Sequence, residues 1–196
     1  MNYNFRMLTT LVTILFLSCA LPFSGGGAAN ASPEGTYSQD AKGLEKQLEP
    51  LVKAWNKHDD RAIEQAGKVF AFPDPMGWFG KYFAKDQAGL LATEDQAQVT
   101  AFATITPVMM SILAKGQKFR VQVSPADKST PTKVEPRADA PVPTMPVPLE
   151  QFNIALIAEK GMTLSILCNF VYVDGAYRYV GKGAYPFWSM PDTSKK

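Results

Sequence analysis

Phe170-Val171-Tyr172-Val173-Asp174-Gly175-Ala176-Tyr177-Arg178-Tyr179-Val180-Gly181 reads as two strands joined by a two-residue turn. Asp-Gly between alternating apolar runs signals a type I′ hairpin, because that turn needs φ > 0 at both central residues. The turn sets the register. Val173 faces Ala176, Tyr172 faces Tyr177, Val171 faces Arg178 and Phe170 faces Tyr179. Side chains alternate between faces. One surface therefore carries Leu164, Ile166, Cys168, Phe170, Tyr172, Tyr177 and Tyr179. The other carries Ser165, Leu167, Asn169, Val171, Val173, Arg178 and Val180. Both are largely apolar, so the sheet is covered on both sides or curls around something.

Further strands lie upstream. Thr163 to Val173 is one long strand, Lys160-Gly161 a turn, and Gln151 to Ala158 a second strand. Phe119, Val121 and Val123 alternate with polar residues as a third. From Ser124 to Leu149 the chain holds seven prolines. That density excludes a central strand and predicts an extended, mobile excursion, with a short edge strand at most near Val147.

The N-terminal half has helical periodicity. Leu44, Leu48, Leu51, Val52 and Trp55 form one apolar face, with Asp40 as N-cap. Asp59 or Asp60 caps a second helix with Ile63, Ala66, Val69 and Phe70 inward. Asp74 caps a third, with Pro75 at its first position. That helix carries Trp78, Phe79, Tyr82 and Phe83. A fourth helical stretch follows Asp86 to about Lys115, with Val99, Phe102 and Ile105 in its apolar stripe, and Pro107 is expected to kink or split it. The predicted class is α+β: N-terminal helices packed on a curved antiparallel sheet, in one domain over 32–196.

Residues 1–31 read as an export leader. Arg6 precedes an apolar run, Met7 to Leu17, and Ala29-Asn30-Ala31 supplies a small-x-small cleavage site. Cleavage there leaves Ser32 as the mature N-terminus. The competing route takes Phe16-Leu17-Ser18-Cys19 as a lipoprotein box, with Cys19 lipidated and the protein held at a membrane. The expected location is thus periplasmic or secreted, and membrane-anchored only if Cys19 carries lipid. A chain of this length buries about 70% of its unfolded surface without a staple. It has none: Cys168 is the single cysteine outside the leader, read as a small buried hydrophobe. A net charge of +2, with basic residues scattered, argues against a nucleic-acid partner.

Two stretches carry a resemblance. Leu51-Val52-Lys53-Ala54-Trp55-Asn56-Lys57-His58-Asp59 is similar to the end of the first helix, and Phe170 to Gly181 to the last hairpin, of the cone-shaped fold named after nuclear transport factor 2. Polyketide cyclases and ketosteroid isomerase share that fold. The resemblance implies a cone with one open end and an apolar pocket, without implying an activity.

Chemistry is sparse. The strands over 151–183 hold almost no acids, and general acid–base catalysis needs a positioned proton carrier. His58, the single histidine, reads as a solvated turn residue outside any pocket. The competing reading pairs it with Asp59 or Asp60 as a base. One His and one Cys cannot close a zinc shell, so no metal or cofactor is expected. Trp78, Phe102, Tyr172, Tyr177 and Arg178 are the candidate ligand-binding residues: aromatics and one cation on or over the sheet. The tail Lys182 to Trp188 is either a cover or a partner surface. The expected function is a non-catalytic envelope protein that binds a small apolar ligand or a protein partner. The alternatives are a pocket enzyme of isomerase or cyclase type, using His58 with Asp59 or a pocket Tyr, and an accessory subunit acting through its surface.

Overall fold

The computed structural model describes residues 36–114, 117–126, 140–183 and 186–189. All lie in the second of the two units into which the chain divides, Ala31–Lys196. The leader, its cleavage site and Cys19 lie outside the described residues. The fold is α+β. Helices α1 (Ala41–Lys57), α2 (Asp60–Lys68), α3 (Pro75–Tyr82) and α4 (Lys85–Ala114) precede strands β1 (Phe119–Pro125), β2 (Leu149–Ala158), β3 (Thr163–Val173) and β4 (Ala176–Lys182). The strands form one curved antiparallel sheet in the order β1-β2-β3-β4.

Three aspartates start three helices. Asp40 Oδ1 accepts from Gly43 N at 2.8 Å, Asp59 Oδ1 from Ala62 N at 3.0 Å, and Asp74 Oδ1 from Gly77 N at 2.9 Å. Each satisfies an amide that has no partner within its helix. α1 stops at His58, whose φ of 53° is left-handed. The amides of His58 and Asp59 turn back onto Trp55 O and Ala54 O, as in a Schellman ending. α4 runs through Pro107 as one element, so the expected split does not occur.

The hairpin forms as its turn dictates. Asp174 and Gly175 have φ of 51° and 78°, the type I′ signature. Pairing runs from Val173↔Ala176 to Phe170↔Tyr179 in the expected register. A bulge then places Gly181 opposite Asn169. Both faces are covered. Phe170, Tyr177 and Tyr179 pack with Leu44, Leu48, Trp55, Phe70 and Phe102 of the helices. Val171 and Val180, on the other face, pack with Phe72, Trp78, Phe79, Phe83, Leu91 and Trp188. Trp188 is thus core, with Phe187 packed against the same cluster.

A sheet of four strands has two open edges, and α1 bonds to both. On β4, the Gln47 amide accepts from Tyr177 N at 2.8 Å and donates to Tyr177 O at 2.9 Å. Tyr179 N donates to Phe70 O at 2.9 Å. On β1, Asn56 does to Phe119 what Gln47 does to Tyr177, at 3.0 and 2.7 Å, and Glu45 Oε2 accepts from Val123 N at 2.9 Å. Side-chain amides take the place of neighbouring strands.

The excursion is not free where it is described. Thr144 donates through N and Oγ1 to Tyr82 O at 2.7 and 3.0 Å, and Ser189 N donates to Pro141 O at 2.8 Å. Pro141 and Pro143 are buried. Val147 belongs to no strand; β2 begins at Leu149. Prolines without donors serve well as extended packing against α3. Residues 127–139 lie outside the described residues.

Gln47→Leu strands an N–H and a C=O of Tyr177 in the core. It should cost about 2–4 kcal/mol in urea unfolding, and an unchanged midpoint would refute the edge role. Gly175→Val meets both a left-handed φ and the Thr36 side chain, 2.9 Å from an added Cβ. A loss of at least ~1 kcal/mol is expected in the same assay.

Candidate functional site

The five residues singled out from the sequence are not brought to one site. Phe102 stacks on Tyr179 with centroids 4.4 Å apart. Tyr177 is fully buried against Phe152 and Phe170. Its hydroxyl donates to Asp40 O at 3.2 Å, with Glu150 Oε2 at 3.5 Å. Burial first, then the Glu150 carboxylate, pushes that phenol up. Tyr172 OH donates to Tyr37 O. Trp78 sits across the sheet, against Phe72 at 4.4 Å. Arg178 is 4% exposed, and its Nη1 donates to Val69 O at 2.6 Å and Ala71 O at 3.1 Å. Rings and backbone carbonyls take up the surface these side chains were expected to offer a ligand.

A groove of about 310 Å³ lies elsewhere, between the end of α1, α2 and α4. Trp55, Ile63, Gly67, Val99 and Ala103 form its apolar side. His58 and Asp60 line it from the α1–α2 corner, Glu64 and Lys68 from further along α2, and Gln96, Thr100 and Thr104 from α4. His58 therefore does border a pocket, contrary to its reading as a turn residue outside one. The Schellman ending of α1 puts it there.

Two backbone features shape the groove. A Cβ on Gly67 would come within 2.9 Å of the Ala103 Cβ, so glycine permits α2 to approach α4 closely. In α4, the Ala103 carbonyl would ordinarily accept from residue 107, four positions on. Residue 107 is proline and has no N–H. Trp55 Nε1 donates to that carbonyl instead, at 2.8 Å. One proline thereby fixes the tryptophan that lines the groove. Gly67 within α2 and Pro107 within α4 were the signals available in the sequence; Pro107 read only as a kink or split and Gly67 was passed over, because their partners are distant in the chain.

The polar groups of the groove are partly engaged. Lys68 pairs with Glu64 at 2.8 Å. Thr104 Oγ1 donates to Thr100 O at 2.7 Å, and Gln96 Nε2 to Thr100 Oγ1 at 3.3 Å. The Asp59 carboxylate caps α2 through Oδ1.

A second polar set is buried between the layers. Asp95, 2% exposed, accepts from Phe72 N through Oδ2 at 3.1 Å. Arg178 holds the carbonyl of the same Ala71–Phe72 peptide. Asp95 Oδ1, Arg178 Nε and Trp188 Nε1 lack hydrogen-bond partners among the described residues. Burial pushes the Asp95 carboxyl up to about 7, against the pull of the Phe72 N–H and Arg178. Cys168 is buried in β3, and burial pushes its thiol up to about 12, against Lys182. A thiol so placed is inert.

No family model, curated protein or solved structure matches this chain. Among the described residues no helix is long and apolar enough to cross a membrane.

Asp95 binds its proton more tightly folded than unfolded. Its contribution to stability is present below the unfolded carboxylate range and is lost as pH rises through about 7. Urea unfolding should show the protein about 2–3 kcal/mol more stable at pH 5 than at pH 8 from this group. Asp95→Asn should flatten that slope. An unchanged slope in the variant would refute the assignment.

Proposed function

We propose that this is an exported, non-catalytic binding protein that holds a small, mostly apolar ligand in the groove between α1, α2 and α4. The observation that carries the reading is the groove itself: an apolar wall on three helices with polar groups around it. Its volume stands at the small end of the roughly 300–1,000 Å³ common for ligand pockets. Trp55, tied to Ala103 O, gives a ligand a rigid wall, so little side-chain entropy is lost on binding. Export is supported by Arg6, the apolar run Met7 to Leu17 and Ala29-Asn30-Ala31.

The cone fold named after nuclear transport factor 2 remains the proposed relationship. Helices first, a strand meander, a closing Asp-Gly hairpin and a first helix bonded to both sheet edges support it. In this reading the ligand sits among the helices rather than in the cone, since aromatic rings pack the sheet's inner face.

1-Naphthalenemethanol should bind the purified domain saturably in isothermal titration calorimetry. Thr100→Trp, which places a large ring in the groove from an exposed helix position, should weaken binding about tenfold or more with little change in Tm. Tyr172→Phe, outside the groove, should leave it unchanged. Binding indifferent to Thr100→Trp, or absent altogether, would overturn the reading.

A further inference from the structure

Several donors around the groove are engaged, while one carboxylate that borders it is not. Trp55 has one polar hydrogen, on Nε1, and it is spent on Ala103 O. Thr104 Oγ1–H is spent on Thr100 O. Gln96 Nε2 donates to Thr100 Oγ1, and the Lys68 ammonium sits on Glu64 at 2.8 Å. The Asp60 carboxylate, by contrast, makes no ion pair or hydrogen bond among the described residues. It borders the groove, as His58 does.

Charge points the same way. Glu64 and Lys68 cancel, which leaves the Asp60 charge uncompensated among the lining groups. An anionic ligand would be repelled by that charge. An ammonium donates to the free carboxylate and supplies the missing positive charge. Trp55, with its N–H occupied, offers a ligand only its ring, and aromatic surface beside a carboxylate suits a cation with an apolar body.

Building on the groove as a ligand site, we infer that its ligand is a cationic amphiphile: an apolar body lying along Trp55, Ile63 and Val99, with an amine at Asp60. The amine binds in preference to a neutral or acidic compound of the same size.

Three probes with one ring system test this at pH 8 and low salt: 1-naphthylmethylamine, 1-naphthalenemethanol and 1-naphthoic acid. Calorimetry should rank the amine first, about 3–10-fold above the alcohol, with the acid weakest. The amine's advantage should shrink as salt is raised. Asp60→Asn should bring the amine down to the level of the alcohol, and Asp60→Glu should restore part of the difference. Asp60 is exposed beside the Asp59 cap, so circular dichroism should report a folded variant. If the alcohol binds but the amine is not favoured, or Asp60→Asn leaves the ranking intact, the charge inference falls while the groove reading stands. If none of the three binds, the groove reading itself fails.

Discussion

The architecture depends on α1 being bonded to both edges of the sheet. Gln47 and Asn56 lie about 13 Å apart along the helix axis. One amide completes the hydrogen bonding of Tyr177 on β4, the other that of Phe119 on β1. Each supplies one donor and one acceptor, as a strand neighbour would. The consequence is twofold. Neither edge presents those backbone groups to another chain, and the helix is fixed against the curved face at two points. Leu44 and Leu48 join one apolar cluster with Tyr177 and Tyr179, and such contacts set no register of their own.

With α1 so placed, the helices behind it follow. The turn at His58 reverses the chain into α2, and Gly67 lets α2 rest closely on α4 at Ala103. α4 carries a proline where an amide should be, and Trp55 repairs the carbonyl left without a donor. The groove is what remains among three helices held by these contacts. It is a product of backbone chemistry, and its polar groups are surface residues that happen to converge on it.

The other side of the sheet carries a separate aromatic core, from Phe72 to Trp188, closed by segments without regular structure. Between the two cores runs the connection from α2 to α3. Arg178 and Asp95 grip one peptide of it from opposite ends, Ala71 O and Phe72 N. Burial of a carboxylate without a full set of partners costs stability at neutral pH. The segment it secures joins the two cores.

Much of this was legible in the sequence wherever the signal is local. The Asp-Gly turn, three aspartate caps, Pro75 and the apolar periodicities act over a few residues, so strands, helices and the hairpin register could be read directly. Sequence also marked both faces of β3 and β4 as apolar, and both are covered. What it could not show was which buried polar residue meets which backbone group. Gln47 and Tyr177 are 130 positions apart, and Trp55 and Ala103 are 48 apart. No local pattern encodes such pairs. For the same reason Arg178 and Tyr177 read as possible ligand contacts, although the fold spends them on backbone carbonyls, and His58 read as a bystander, although it borders the groove. Local propensity determined the elements of this protein; the satisfaction of buried donors and acceptors across the chain decided where a site was left open.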